Sequence, residues 1–282
     1  MNDLPLLGAL LQNTWTLYKK HWQSIAVVGA ILGLAVGLLA SVVAANTAYQ
    51  VQTGMGFDPQ TIQNLQERVN NGDQQAQQEL KDIAKSFNPA QLATAIAIGL
   101  RTMAIMWLIT LLAYSVYQAF LVVLAVSGMD EEARKRGPGY ILPMIGLNLW
   151  LFVRTFIWIP GIGFIIAIIL GPRFVASHAI LVSEKKGIMA SASESYRRTQ
   201  SLWGKIFGNV FVAGLVAGIA TWLVGGIVRI FLPAGIDDIA TAVVQTLSAA
   251  FTLLFMTLLG LAIAKRTPPA VMAAVSTSPS SM

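Results

Sequence analysis

Six long apolar runs decide most of what this chain of 282 residues can fold into. They lie at about residues 24–45, 102–127, 140–159, 163–182, 206–232 and 239–264. Each holds the ~20 helical residues that a bilayer core requires. The runs are continuous, whereas a membrane barrel uses alternating segments of about 10 residues. Helices satisfy their own backbone polar groups in lipid, so the expectation is an all-α, polytopic transmembrane bundle of six spans. Composition points the same way. Only 11% of the residues are charged, against about a quarter in a soluble domain.

The segments between the runs carry the polar residues. Over 6–23, Leu7, Leu11, Trp15, Tyr18 and Trp22 recur at helical spacing while Lys19 and Lys20 fall on another face. That pattern predicts an amphipathic helix at headgroup level, anchored by Trp15 and Trp22. A second interfacial helix is expected between Ser191 and Trp203, with Tyr196 and Trp203 as its anchors. Residues 46–91 are rich in Gln and Asn and read as a polar excursion outside the membrane. Within it, Pro59 suits a first helical turn, and Leu65 and Val69 follow at helical spacing. Asp130–Arg136 followed by Gly137-Pro138-Gly139 reads as a loop, and Pro160-Gly161 as a turn. Asp3 precedes any lysine and the first run opens only near Ser24, so the amino terminus is expected to be uncleaved. Residues 1–266 form one integral membrane domain in this reading, and 267–282 a disordered tail.

The net charge of +6 raises the question of nucleic acid. The basic residues, however, collect at the ends of apolar runs rather than on one soluble face, and no nucleic-acid partner is expected. Twelve Lys and Arg fall on one side of the expected six-span topology and three on the other. By the positive-inside rule both termini are then cytoplasmic. Four further arginines, Arg101, Arg154, Arg173 and Arg229, lie within or at the edges of the runs.

An internal repeat is visible at an offset of 181 residues. It sets Trp22 on Trp203, Ile25 on Ile206, Gly33 on Gly214 and Gly37 on Gly218. Both copies read interfacial helix, tryptophan, then a span carrying Gly-x-x-x-Gly. A parallel repeat about the membrane normal follows. Gly29, Gly33, Gly37, Gly214 and Gly218 are candidate helix-packing positions, within one bundle or between copies of the chain.

The residues Pro160-Gly161-Ile162, Arg173, Glu184, Ala190, Ser195 and Trp203, in that order, carry a family likeness. The chain resembles the YciC-type bacterial inner-membrane proteins and the membrane domain fused to some glycerophosphodiester phosphodiesterases. The resemblance implies a bacterial multi-span module in the cytoplasmic membrane. The phosphodiesterase barrel and its metal-binding acids have no counterpart here, so the enzyme activity is not implied.

Polar candidates are few. Arg173 follows Pro172 about ten residues past the Pro-Gly turn, which is about 15 Å along a helix and near the bilayer centre. It is read either as binding an anionic lipid group or as satisfying a carbonyl freed by the proline. His178 is the one histidine within a run. Two histidines and no cysteine make a metal site unlikely, and the serines between 191 and 201 lack the partners of a nucleophile. No cofactor is expected. The function expected is non-catalytic: binding of lipid or another amphiphile, or support of a membrane process. The alternatives are a transporter built from two pseudo-repeats and a scaffold for a partner membrane protein. A homo-oligomer is compatible with all three.

Overall fold

The structure, a computed structural model, describes residues 4–54, 59–85, 89–156, 160–232 and 236–266. Among them the regular elements are all helices: α1 (Leu7–Lys20), α2 (Trp22–Gly54), α3 (Pro59–Asn70), α4 (Gln74–Lys85), α5 (Pro89–Ser127), α6 (Asp130–Phe156), α7 (Pro160–Phe174), α8 (Ser177–Ser183), α9 (Ile188–Arg198), α10 (Trp203–Phe231) and α11 (Ile236–Ala264). Four of these, α2, α5, α10 and α11, are long and apolar enough to cross a membrane. The disordered tail expected at 267–282 lies outside the described residues, as does the end of the third expected span at 157–159.

Three expectations need correction. First, the helices on either side of the polar segment reach into 46–91, past the expected ends of the first two spans. Helix α2 runs 33 residues and α5 39 residues, or about 50 and 58 Å at 1.5 Å per residue. Nothing between Ala45 and Gly54 breaks a helix, and Thr47 and Thr53 return their hydroxyl protons to carbonyls one turn back. The two helices therefore continue side by side beyond the length of a bilayer core, joined by Thr47 Oγ1 and Thr102 Oγ1 at 2.7 Å. A small hairpin, α3–α4, caps them. Among the described residues Leu65 and Ala76 are its buried hydrophobics, and the Asp73 carboxylate accepts the Gln75 and Ala76 N–H groups at the start of α4.

Second, the expected loop at 130–139 is the first part of α6. Asp130, Glu131 and Glu132 occupy its first turn, where acids complement the helix dipole. The ion pairs Glu131–Lys135 and Glu132–Arg136 support the next turn. Pro138 and Pro143 are accommodated inside the helix, whose other side buries Ala133, Met144 and Leu147 completely.

Third, the expected fourth span is interrupted. Helix α7 ends at Phe174, and α8 is a separate helix of seven residues. It is almost wholly buried: Ser177, Ala179, Ile180, Leu181 and Val182 have little or no exposure. Gly260 of α11 makes room for it, since a Cβ there would lie 3.0 Å from the Ala179 Cβ and 3.1 Å from the Ala176 Cα.

Burial is concentrated at one end of the bundle. Ile25 of α2, Tyr117–Leu124 of α5, Met144 and Leu147 of α6, Ala179–Val182 of α8, and Leu253–Phe255 of α11 form the core. This is the end that carries α1 and α9. Helix α1 joins it through Leu10 and Thr14, both buried, with Thr14 Oγ1 donating to the Leu10 carbonyl. The buried face of α1 is thus rotated by about one residue from the Leu7–Leu11–Trp15 stripe. A threonine that satisfies itself locally can be buried as cheaply as an alkyl group.

Candidate functional site

Between α5, α6, α7, α8, α10 and α11 lies a cavity of about 420 Å³, within the size range of ordinary ligand pockets. Most of its wall is apolar: Leu151 from α6, Phe174 and Val175 after Pro172, Phe207 and Val210 from α10, and Leu253 and Met256 from α11. The exposed members of the lining are Tyr114, Ile168, Gly171 and Phe211. They mark the mouth along α7, with α5 and α10 at its sides. Ile165, Ile169, Leu215 and Ile219 nearby are exposed as well. The mouth therefore opens through an apolar, lipid-like surface. Met256 stands eight residues before the end of α11, about 12 Å along the helix from Ala264, so the cavity lies in the half of the bundle nearer α9.

One end of the cavity is polar. Ser115 Oγ donates to the Leu111 carbonyl at 2.7 Å, so toward Asn148 it can only accept. This orients the Asn148 amide: its Nδ2 donates to Ser115 Oγ at 3.0 Å and to Gln118 Oε1 at 2.9 Å. Asn148 Oδ1 then faces His178 Nε2 at 2.9 Å, and since that oxygen cannot donate, Nε2 carries the proton. Gln118, Asn148 and His178 all line the cavity, together with Thr155 and Thr257, whose hydroxyls donate to carbonyls of their own helices. The interruption between α7 and α8 is what turns His178 toward Asn148, 30 residues away. A continuous helix from 163 to 182 would carry it round on a different register. Asn148 and Gln118 were not among the sequence candidates. Their signal is that of any amide within an apolar run, and which of these meets another is not written locally.

Arg173 lies elsewhere than its position in the run suggests. Its neighbours Pro172 and Phe174 line the cavity, but its guanidinium donates to the Thr199 carbonyl at 3.0 Å and sits 5.5 Å from the Tyr196 ring centroid. The Arg173 carbonyl in turn accepts from Ser195 Oγ at 2.8 Å and Thr199 Oγ1 at 3.1 Å. Ser195 Oγ also accepts the Ala176 N–H. The break after α7 leaves these backbone groups without helical partners, and α9 supplies them. Arg173 is a clasp between α7 and α9 at the end of the bundle. Of the serines of 191–201, Ser195 serves that clasp, while Ser191 donates to the Lys186 carbonyl.

The charged residues after α8 form a closed network. Arg198, 9% exposed, grips Glu184 with both terminal nitrogens at 2.6 and 3.2 Å, pairs with Glu194 at 2.6 Å, and donates to the Ala264 carbonyl at the end of α11. Arg197 adds three bonds to Glu194, and Lys186 pairs with Glu184 at 2.8 Å. The Arg197 hydrogen bonds, joined by those of Arg198, hold the Glu194 carboxyl at about 2. Burial pushes Glu184 up, but Lys186 and Arg198 outweigh it and hold that carboxyl below its ordinary value.

The remaining candidates divide. A Cβ on Gly33 would lie 2.6 Å from the Val243 Cα, one on Gly37 would lie 3.1 Å from the Ile239 Cα, and one on Gly29 would meet Tyr117 Oη at 2.7 Å. At Gly214 and Gly218 it would meet nothing within 4 Å. The two Gly-x-x-x-Gly faces therefore do not occupy equivalent positions, contrary to the expectation from the repeat. Trp15, Trp22 and Tyr196 are exposed by 52%, 56% and 40%, with Trp15 stacked on Tyr18 and covered by Lys19. Trp203 is instead tied to α7, its Nε1 donating to the Ile169 carbonyl at 2.8 Å. No group of three or more potential metal ligands occurs among the described residues. No family model, curated protein or solved structure matches the chain.

Proposed function

We propose that this is a non-catalytic integral membrane protein that takes a lipid, or another amphiphile, into the cavity beside α7, with its tail along the apolar wall. The observation that carries the reading is the join of three features in one place: a cavity of about 420 Å³, a mouth bordered by exposed apolar side chains, and a polar far end. A ligand arriving from the bilayer meets apolar surface first, and burial of its tail supplies the driving force of packing within that wall.

In this reading the apolar part of α6 and the bent pair α7–α8 add two crossings to α2, α5, α10 and α11. Four or six crossings alike leave both termini on one side. The twelve-to-three asymmetry of Lys and Arg supports the cytoplasm of a bacterial cell as that side. Membership of the YciC-type family, on the residues quoted above, is part of the same proposal. A transporter would need the cavity to open toward the far side as well, and a scaffold would leave it empty of lipid.

The test is photocrosslinking in liposomes that contain a phosphatidylcholine with a diazirine near the end of one acyl chain. Adducts are expected on Leu253 and Phe207 in the cavity wall as well as on the exposed residues of α10. Leu253 is 3% exposed and is reached by a chain only through the cavity. Adducts confined to the outer faces would refute the reading.

A further inference from the structure

We infer that the polar end of the cavity selects a lipid with an uncharged hydroxyl head, as in a diacylglycerol or a long-chain alcohol, over one with an anionic phosphate head. The inference rests on the cavity's being a lipid site and names its ligand class.

The argument begins with charge. Among the described residues that line the cavity there is no Lys, Arg, Asp or Glu. The two cations adjacent in sequence to lining residues are turned elsewhere, Arg173 to Thr199 and Tyr196 and Arg154 to the Trp150 ring. A phosphate carried to the polar end would be stripped of water with no counter-charge to meet it, which is costly in an apolar surround. The headgroup that fits is therefore neutral.

Hydrogen-bond valence then narrows its chemistry. Gln118 is 4% exposed, and its Oε1 is taken by Asn148. Its amide Nε2 keeps two N–H donors. His178 gives its Nε2 proton to Asn148, so Nδ1 of the neutral ring holds a lone pair. Among the described residues neither Gln118 Nε2 nor His178 Nδ1 has a hydrogen-bond partner in the protein. Neither is among the polar atoms sealed from solvent without a partner, which are His21 Nε2, Asp130 Oδ1, Ser177 Oγ and Thr241 Oγ1. Both therefore stay reachable from the cavity that their side chains line. Gln118 Oε1 and His178 Nε2 each lie 2.9 Å from the same Asn148 amide, so one residue is left with donors and the other with an acceptor at the same end of the cavity. A hydroxyl can accept from the one or donate to the other. A phosphate only accepts, and a quaternary ammonium does neither.

The experiment repeats the photocrosslinking above and reads only the Leu253 and Phe207 adducts, while unlabelled lipids of matched acyl chains compete. Diacylglycerol is expected to displace the adduct at about one-tenth of the concentration that phosphatidylglycerol needs, the scale of one to two net hydrogen bonds. In Gln118→Leu and in His178→Phe that preference should shrink to about threefold or less, while adducts in plain phosphatidylcholine persist and report a folded cavity. Asn148 is left alone in this test because it also ties α5 to α6. Phosphatidylglycerol competing as well as diacylglycerol, or an undiminished preference in both variants, would overturn the neutral-head inference and leave the lipid cavity standing. Cavity adducts absent with every lipid would remove the cavity reading, and this one with it.

Discussion

Helices α2 and α10 carry the same small-residue pattern and use it in opposite ways. On α2, Gly33 and Gly37 bring the backbone against Val243 and Ile239 of α11, with no space for one carbon more at Gly33 and little at Gly37. On α10, Gly214 and Gly218 look into open surroundings, flanked by exposed Phe211, Leu215 and Ile219. The pattern permits close approach but does not cause it. What decides is the partner surface. Helix α11 presents a continuous face to α2, whereas α10 touches the rest of the bundle on its other side and leaves this one exposed. Helix α10 is also the wall of the cavity, and a wall held at few points suits a ligand that enters sideways.

The largest expected effect tests that comparison at its closest contact. Gly33→Leu should lose about 3 kcal/mol or more of stability in detergent, read as a sharply lower melting temperature, because a side chain cannot be inserted without separating α2 from α11. Melting close to that of the parent would mean that the α2–α11 seam is not close-packed.

The end where α9 meets α11 should respond to acid. Glu194 is held at about 2, below its ordinary 4.5, first by the Arg197 hydrogen bonds and then by Arg198. A depressed carboxyl contributes stability above its unfolded value and loses it as the pH falls toward its folded one. The melting temperature should therefore be level from pH 7 to about 5 on this account and fall below about 4.5. Glu194→Gln should start lower and fall less. An identical acid profile in that variant would show that the network does not hold α9 in place.

A smaller effect is expected where α10 is tied down. Trp203→Phe removes the hydrogen bond to the Ile169 carbonyl and should cost about 1 kcal/mol. It should also raise the yield of cavity adducts, since α7 and α10 border the mouth. A drop in adducts would place the entrance elsewhere.

The smallest is the counterpart of the first. Gly214→Leu should alter stability by no more than about 0.5–1 kcal/mol, with a gain in helix propensity as the expected sign. Calorimetry on Gly214→Leu and Gly33→Leu side by side gives the contrast directly. A large loss at Gly214 would point to a second copy of the chain covering α10.

Much of this architecture is legible in the residues themselves. Long apolar runs can be read as helices because the requirement is local: every backbone group in lipid must bond within its own segment. The same locality explains the errors. Thr47, Thr53 and the glutamines after Ala45 are as compatible with helix as with loop, and only the neighbour α5 carries α2 on to Gly54. Gly137-Pro138-Gly139 reads as a stop, yet the burial of Ala133 and Met144 on either side holds α6 together across it. Arg173 reads as a mid-bilayer charge in need of a partner, and the break after Phe174 is what exposes the backbone groups by which α9 meets it.

What the sequence determines alone, then, is the all-helical class, the four longest membrane-competent helices and the uneven distribution of charge, since these depend on composition over a window of residues. Which glycines are contacts, which of the polar residues 115, 118, 148 and 178 meet, and that Arg173 clasps α9 rather than facing a cavity were decided by the tertiary structure. Each depends on the rotation of one helix about its axis relative to another. A single residue spans about 100° of that rotation, so a break of two residues between α7 and α8 is enough to redirect every side chain that follows.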